Sequence, residues 1–319
     1  MWEALADALV YGLLGLDPAS HGSQALHFFL YETLKIGFLL LLVTHLMGVV
    51  NAYFPVERVR RLIASGRLRG AEHLVASGFG AVTPFCSCSS IPLFIGFLQG
   101  GIPLGVTFSF LITSPLVNEV ALALFLGLFG WKVTLVYAAS GILLGTVLGW
   151  LLGRLKLERY VEAWVWQIAA QRVEAAAGPR PALRSQGAAI SREAFGIMKK
   201  IGPYVLAGIG IGAFIHGYVP TGFFEAYISE HNPLAVPLSV LLAVPMYASA
   251  SGVIPIVQAL VAKGIPLGTA MAFMMGVVGL SLPEAMMLKK VMRVRLLGVF
   301  FGTVALSIIL LGYTFNIIF

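Results

Sequence analysis

The chain has 319 residues, of which 59% are hydrophobic and only 11% are charged. A soluble domain of this length carries about a quarter charged residues, so the composition excludes a soluble globular protein and indicates an all-α polytopic membrane protein. The net charge of +7 lies in loops between apolar segments, where it orients membrane spans, so nucleic acid is not an expected partner.

Residues 1–153 are predicted to form a first transmembrane repeat. Its first span runs from about Lys35 to Tyr53 and is followed by a basic loop. The uncharged run after His73 continues to Asn118, which is too long for one crossing, and a turn at residues 100–103 divides it into two membrane elements. A plain span, Val133–Gly153, closes this half.

Two polar interruptions lie inside this uncharged run. The first island, residues 83–92, reads TPFCSCSSIP and contains both cysteines of the chain. The second interruption, residues 113–119, reads TSPLVNE. Proline cannot donate the helical hydrogen bond, and non-helical backbone at membrane depth is stable only against protein or a water-filled cavity. Both stretches therefore predict broken or re-entrant helices that line a site.

The rest of the chain divides at its only long polar segment. Residues 154–200 are predicted to be a basic cytoplasmic loop with a flexible linker at Gly178–Pro181. Residues 201–319 are predicted to form a second transmembrane repeat, which begins with the span Ile201–Tyr218 and ends with the span Leu296–Phe319.

The two halves share a sequence repeat at an offset of 163 residues. The turn sequence GIPLG at residues 101–105 recurs at residues 264–268. The pattern predicts about eight hydrophobic segments in two pseudo-repeats, with a second polar island facing the first. At this offset the cysteines correspond to serines, with Cys86 and Cys88 falling on Ser249 and Ser251.

Loop charge distinguishes a parallel repeat from an inverted one. With eight simple crossings, Lys and Arg divide equally between the two faces, which contradicts the usual cytoplasmic bias. If one broken element in each half is re-entrant, residues 58–69, 154–200 and 289–295, called here the three basic stretches, all share one face. The inverted arrangement is therefore predicted, with these stretches in the cytoplasm.

The polar residues of the islands are the candidate binding residues. Thiolates bind soft metals and metalloids, so the thiols of the first island are candidate metal ligands, although a buried cysteine also serves as a small packing residue. The serine neighbours of the thiols favour the binding role. The substrate-binding candidates are Cys86, Ser87, Cys88, Ser89, Ser90, Asn118, Ser249 and Ser251, and the metal-binding candidates are Cys86 and Cys88.

Two carboxylates, Glu119 and Glu284, lie deep in the uncharged runs and are candidates for proton coupling, because intramembrane carboxylates are costly and usually functional. For Glu284 an alternative stays open, in which it pairs with Lys289 at the interface. His45 and His216 are interpreted as packing residues. The sequence contains no phosphate loop or hydrolase motif, so neither enzymatic activity nor a cofactor is expected.

The first island, together with the sequence FLITSPLVN at residues 110–118, resembles the bacterial ArsP-like permeases. This family includes trivalent organoarsenical efflux proteins and related copper and zinc efflux candidates. The resemblance implies a multi-pass inner-membrane permease that works in the lipid bilayer on small-molecule or ion cargo. It leaves the cargo open, and a homo-oligomer is an open alternative to a monomer.

Three hypotheses about function follow. The leading one is a proton-coupled exporter of a soft, thiol-reactive solute, such as a trivalent organoarsenical or a soft metal. The second is a channel-like or uptake permease for a small anion or sulfur-containing solute, bound by helix N-termini and serine hydroxyls. The third is a membrane redox enzyme, which is the weakest because no cofactor motif accompanies the thiols.

Overall fold

The chain is nearly all-helical, as the composition predicts. The computed structural model describes residues 2–53, 71–83, 87–167, 183–218, 234–246, 250–262 and 264–319. Within these ranges the only β geometry is an isolated antiparallel bridge between Val161 and Met292. Three helical segments among the described residues are long and apolar enough to cross a bilayer: Ala121–Arg154, Leu267–Leu288 and Val294–Ile318.

The described residues of the first half form six α-helices. They are α1 Trp2–Asp7, which continues into a π-helical segment Ala8–Leu13, α2 His21–Tyr53, α3 Glu72–Val82, α4 Ser87–Gln99, α5 Leu104–Leu116 and α6 Glu119–Arg154. Helix α2 begins well before the predicted start at Lys35, because Ser20 caps it. The Ser20 hydroxyl accepts a hydrogen bond from the Ser23 backbone N–H at 3.2 Å.

The part of the second half that the structure describes forms six more helices, the first of which begins inside the predicted loop. They are α7 Leu183–Tyr218, α8 Ala235–Ala243, α9 Ala250–Ala262, α10 Leu267–Gly279, α11 Leu282–Leu288 and α12 Val294–Ile318. Residues 183–200 of the predicted loop are thus helical, and Leu157–Tyr160 forms a single 3-10 turn. The predicted linker Gly178–Pro181 lies outside the described residues.

Helices end at both predicted interruptions of the first half. Helix α3 ends at Val82 and α4 begins at Ser87, while α5 ends at Leu116 and α6 begins at Glu119. Pro92, expected to help break the backbone, instead lies inside α4. It sits in the second turn, where a missing N–H removes only one helical hydrogen bond.

Helix α6 folds back on itself at Gly130, whose φ of 78° lies in the left-handed region that favours glycine. The rings of Phe125 and Tyr137 stack across this turn with centroids 4.6 Å apart. In a straight helix, residues twelve positions apart are separated by about 18 Å. The segment after the turn, and not the whole of α6, therefore matches the predicted span Val133–Gly153.

Helix boundaries in the two halves keep the offset of 163 residues. Helices α4 and α9 have equal lengths, and their first and last residues differ by 163; the same holds for α5 and α10. The first residues of α3 and α8 also differ by 163, as do the first residues of α6 and α11. The turns before α5 and α10 also agree. Gly101 has a φ of 78° and Gly264 a φ of 91°, and the next residue in each turn bonds back to the end of the preceding helix.

The chain folds into two compact units. The first comprises Met1–Phe38, Pro203–Met286 and Val304–Phe319, and the second comprises Leu39–Gly202 and Met287–Thr303. In the second unit α5 approaches α6 at backbone distance, since a Cβ on Gly105 would lie 2.6 Å from the Gly153 Cα. Small residues allow membrane helices to approach this closely.

Candidate functional site

The two polar interruptions of the first half meet in the structure. The Ser90 hydroxyl, near the start of α4, lies 2.7 Å from the Ser114 hydroxyl, near the end of α5, and both side chains are fully buried. A buried hydroxyl is costly unless it is hydrogen-bonded, so this pair fixes the two helix ends against each other. The first island and the second interruption are thereby part of one polar region.

Asn118 positions the start of α6. Its backbone is extended, and its Oδ1 accepts a hydrogen bond from the Ala121 N–H at 2.8 Å, which is the geometry of a helix N-cap. Glu119 is then the first residue of α6, where the helix dipole favours a negative charge. The candidate binding residue Asn118 therefore also has a structural role.

Several candidate residues are described only in part. Cys86 and Ser249 lie outside the described residues. For the others the structure describes the backbone alone, in the first turns of α4, α6 and α9; these residues are Ser87, Cys88, Ser89, Glu119 and Ser251. Among the described side chains, no group of three or more His, Cys, Asp or Glu residues is placed to hold a metal ion.

Glu284 is buried in the first turn of α11, with only 1% of its surface exposed. The break before it lies at residues 280–281, and the Leu282 N–H donates to the Val244 carbonyl at 2.8 Å, which joins the start of α11 to the end of α8. A carboxylate that reaches the interface keeps its oxygens in water. Burial thus shows that Glu284 does not reach solvent, and its proton-coupling role stays a prediction.

His45 behaves as the packing residue that the sequence suggested. Its Nδ1 lies 2.8 Å from the Leu41 carbonyl oxygen one turn earlier in α2, and its ring meets the edge of Phe195 at 5.9 Å. The side chain of His216 lies outside the described residues.

A second polar group, which the sequence did not single out, lies between α3, α5 and α6. The His73 Nδ1 is 3.1 Å from the Ser109 hydroxyl, and the Ser77 hydroxyl is 2.6 Å from the Thr113 hydroxyl. The Ser77 hydroxyl also contacts the Ile142 carbonyl at 2.7 Å. One signal in the sequence was available. His73 and Ser77 are four residues apart in α3, and Ser109 and Thr113 are four residues apart in α5, which places both residues of each helix on one face.

His73 opens onto a cavity of about 350 Å³. Its lining includes Glu72, Gly101, Arg154 and Glu158, and the Arg154 guanidinium stacks 4.0 Å from the centre of the Trp150 ring. Burial lowers the pKa of the His73 imidazole below its ordinary value of 6.5, while the Glu72 charge and the Gly105 backbone act in the opposite direction. The imidazole is therefore mostly neutral at pH 7.

The segment after α6 pairs with the turn before α12. The Glu162 N–H donates to the Val291 carbonyl at 2.9 Å, and the Arg293 N–H donates to the Tyr160 carbonyl at 2.8 Å. The Trp164 indole N–H donates to the Lys290 carbonyl at 2.9 Å. These bonds hold parts of two of the three basic stretches next to each other.

Comparison with known proteins decides the family. The chain matches ArsP_1, a family of predicted permeases, over residues 21–317. The chain belongs to this permease family. The permease is therefore related to membrane transport proteins and not to a family of enzymes, and its long apolar helices agree with that relationship.

Relatives of this permease match along most of their length. UPF0718 protein MJ0584 of Methanocaldococcus jannaschii is 21% identical, with 88% of this chain and 92% of the relative aligned. A Streptococcus mutans protein, named as a proposed subunit of a two-component membrane permease complex, is 22% identical over 90% of this chain and 89% of its own. UPF0718 protein YraQ of Escherichia coli is 23% identical, with 83% of this chain and 73% of the relative aligned. No solved structure matches the permease.

Proposed function

We propose that the permease is a multi-pass protein of the bacterial inner membrane that exports a soft, thiol-reactive solute in exchange for protons. The cargo class is a trivalent organoarsenical or a soft metal ion. The observation that carries the proposal is the hydrogen bond between Ser90 and Ser114. It joins the start of α4, which carries Cys88 in its first turn, to the end of α5, which leads to Asn118 and Glu119.

The cavity geometry supports a re-entrant α3–α4 pair. Glu72 at the start of α3 and Gly101 after the end of α4 line the same cavity, so both ends of the pair lie on one side. The two helices have 11 and 13 residues. Such helices are about 16 to 20 Å long, which is little more than half the hydrocarbon thickness. The end of α3 at Val82 and the start of α4 at Ser87 therefore lie near the membrane midplane in this proposal.

The pairing of residues 160–164 with residues 290–293 supports the inverted arrangement. Eight simple crossings place the second and third basic stretches on opposite faces, whereas the hydrogen bonds hold them together. Because Glu72 and Arg154 line one cavity, the residues next to the first basic stretch share that face. The positive-inside rule assigns the face to the cytoplasm. We retain 1–153 and 201–319 as the two repeats.

Growth of cells that express the permease tests the proposal. The cells are challenged with trivalent methylarsenite, copper, zinc, silver and sulfur oxyanions, and the wild type should grow at higher concentrations of a soft ion or arsenical. The double variant Cys86→Ser/Cys88→Ser should lose this resistance and remain inserted, because Ser249 and Ser251 already fill the equivalent positions. Ser140→Ala is the control and should retain the resistance, because the Ser140 hydroxyl bonds to the Tyr137 carbonyl in its own helix and lies outside the candidate site.

A channel-like or uptake permease for a small anion is the second candidate. Helix α4 begins at Ser87 within the first island, and a helix N-terminus with hydroxyl side chains favours anions. Glu119 at the start of α6 argues against an anion there because of its own charge. Full resistance in the cysteine double variant, together with faster uptake of a sulfur oxyanion, would favour this candidate over the exporter.

A further inference from the structure

Four side chains form a buried polar row that runs from the cavity toward the second interruption. We call it the hydroxyl column, and its members are His73, Ser77, Ser109 and Thr113. The three hydroxyl residues are fully buried, and His73 reaches the cavity. Positions 105, 109 and 113 of α5 are successive turns about 6 Å apart. The column therefore covers the depth between the cavity and the break at residues 117–118.

The second half provides an internal comparison for the column. At the offset of 163 residues every member is replaced by an apolar residue or glycine: Val236 for His73, Val240 for Ser77, Ala272 for Ser109 and Gly276 for Thr113. The close approach of Gly105 to α6 is nevertheless matched by that of Gly268 to α12. The same helix approach therefore forms with no polar group at these four positions, although the Asn316 amide donates to the Thr269 hydroxyl elsewhere between α10 and α12. The column itself is not required for the approach, which points to another role for its buried polar groups.

The column has no room for a solute. A Cβ added to Gly145 would overlap the Thr113 hydroxyl, and a Cβ added to Gly149 would overlap the Ser109 hydroxyl. A path that cannot accept one methyl group cannot pass an arsenical or a metal ion with its ligands. Protons need no such space, because they move between hydrogen-bonded oxygen and nitrogen atoms by small displacements.

The cavity end of the column carries the group that titrates. The charged residues that line the cavity with His73 are Glu72 on its own helix, Arg154 at the end of α6 and Glu158 in the 3-10 turn. The described residues of the turn before α5 add no charged side chain to this lining. An imidazole is the side chain whose charge changes between pH 5 and 8. Burial lowers the pKa of His73, while the Glu72 charge and the Gly105 backbone raise it, so the imidazole is tuned from both directions.

We propose that the hydroxyl column is the cytoplasmic proton route of the permease, which rests on the proton coupling in the proposed function. During export, the carboxylic acid of Glu119 loses its proton and becomes a carboxylate. Each hydroxyl accepts a proton on its oxygen and passes its own onward. Rotation of the Ser109 and Thr113 hydroxyls, which also donate to the carbonyls of Gly105 and Ser109 one turn earlier, joins successive turns. The neutral imidazole of His73 accepts the proton, becomes imidazolium and releases it into the cavity. No electrons move, and one proton enters for each one released.

Two variants at one position separate a proton route from packing. Thr113→Val keeps the shape and removes the hydroxyl, whereas Thr113→Ser keeps the hydroxyl and removes a methyl group. Ser140→Ala is the matched control, since its hydroxyl bonds only locally to the Tyr137 carbonyl among the described contacts. Each protein is reconstituted into liposomes and tested with methylarsenite. One assay measures exchange of labelled probe without a pH gradient, and the other measures accumulation after a pH jump.

We expect Thr113→Val to exchange the probe like the wild type while its pH-driven accumulation slows about 10-fold or more. Thr113→Ser and Ser140→Ala should behave like the wild type in both assays. Equal slowing in Thr113→Val and Thr113→Ser, or none in either, overturns the column as a proton route. A wild type that exchanges the probe without responding to the pH jump overturns proton coupling instead, and a wild type that exchanges nothing overturns the proposed cargo.

Discussion

Gly149→Ala tests whether α5 and α6 pack at backbone distance. A Cβ at this position would lie 2.6 Å from the Gly105 carbonyl oxygen and 2.8 Å from the Ser109 backbone nitrogen. Favourable contacts between such atoms are about 3.5 Å or longer, so the two helices must separate by about 1 Å. Backbone atoms cannot rotate away as the end of a flexible side chain does. The added methyl group must therefore be accommodated by moving a whole helix.

The expected cost follows from that separation. A gap of about 1 Å forfeits a quarter to a half of the dispersion energy of the facing contacts, and overpacking a tight core costs about 1 to 3 kcal/mol. This lowers the ratio of folded to unfolded protein by about 5- to 150-fold. Gly127→Ala in the same helix is the control, because a Cβ there meets nothing within 4 Å. It should be neutral or stabilising by up to about 1 kcal/mol.

The difference in stability between the variants can be measured by unfolding each protein in detergent mixtures with a rising fraction of sodium dodecyl sulfate. Tryptophan fluorescence reports the unfolding. Gly149→Ala should unfold at a lower fraction than the wild type, and Gly127→Ala should not. Gly312→Ala, at the equivalent position of the second half, should also unfold at a lower fraction, because its Cβ would lie 2.6 Å from the Val236 Cγ1 and 2.9 Å from the Ala272 Cβ, and neither atom can rotate away freely. Equal midpoints for Gly149→Ala and Gly127→Ala would refute the close packing of α5 and α6.

Three further predictions concern topology and coupling. Single reporter cysteines in the three basic stretches should resist labelling from outside the cell, and strong external labelling at residues 176–189 would contradict the inverted arrangement. Glu119→Gln should retain probe exchange and lose pH-driven accumulation, with Glu284→Gln milder; a normal response of Glu119→Gln to the pH jump would place the proton path elsewhere. In the wild type the rate of pH-driven accumulation should depend on cytoplasmic-side pH with a midpoint below pH 6.5, since burial lowers the pKa of His73. His73→Gln should abolish this pH dependence.

The helix ends at the polar islands could be predicted from the sequence because the signal is local. Proline and a cluster of small polar residues oppose a helix wherever they lie at membrane depth, so residues 83–92 and 113–119 mark the breaks directly. The start of α7 could not be predicted in this way. The charges between Leu183 and Lys200 suggested a loop, yet Arg and Lys form helices nearly as well as apolar residues do, and only the packing partner decides.

The hydroxyl column was missed because it depends on how α3 crosses α5. His73 and Ser109 are 36 residues apart in the sequence, as are Ser77 and Thr113. Each residue alone is an ordinary small polar side chain in an apolar run. Besides the four-residue spacing, a second missed signal was the comparison between the halves. Each polar residue of the column has an apolar residue or glycine as its counterpart at a constant offset of 163 residues. Only helix pairing gives that pattern a meaning.

Two glycines that allow close helix approach keep their counterparts, as Gly105 and Gly149 correspond to Gly268 and Gly312. The column residues and both thiols have apolar, glycine or serine counterparts in the second half, which instead holds the buried Glu284. If a single ancestral unit was duplicated, the two copies kept part of the packing and diverged in their polar groups. In the proposed exporter, the first repeat then carries the thiols and the hydroxyl column, while the second contributes Glu284 and the serines at positions 249 and 251.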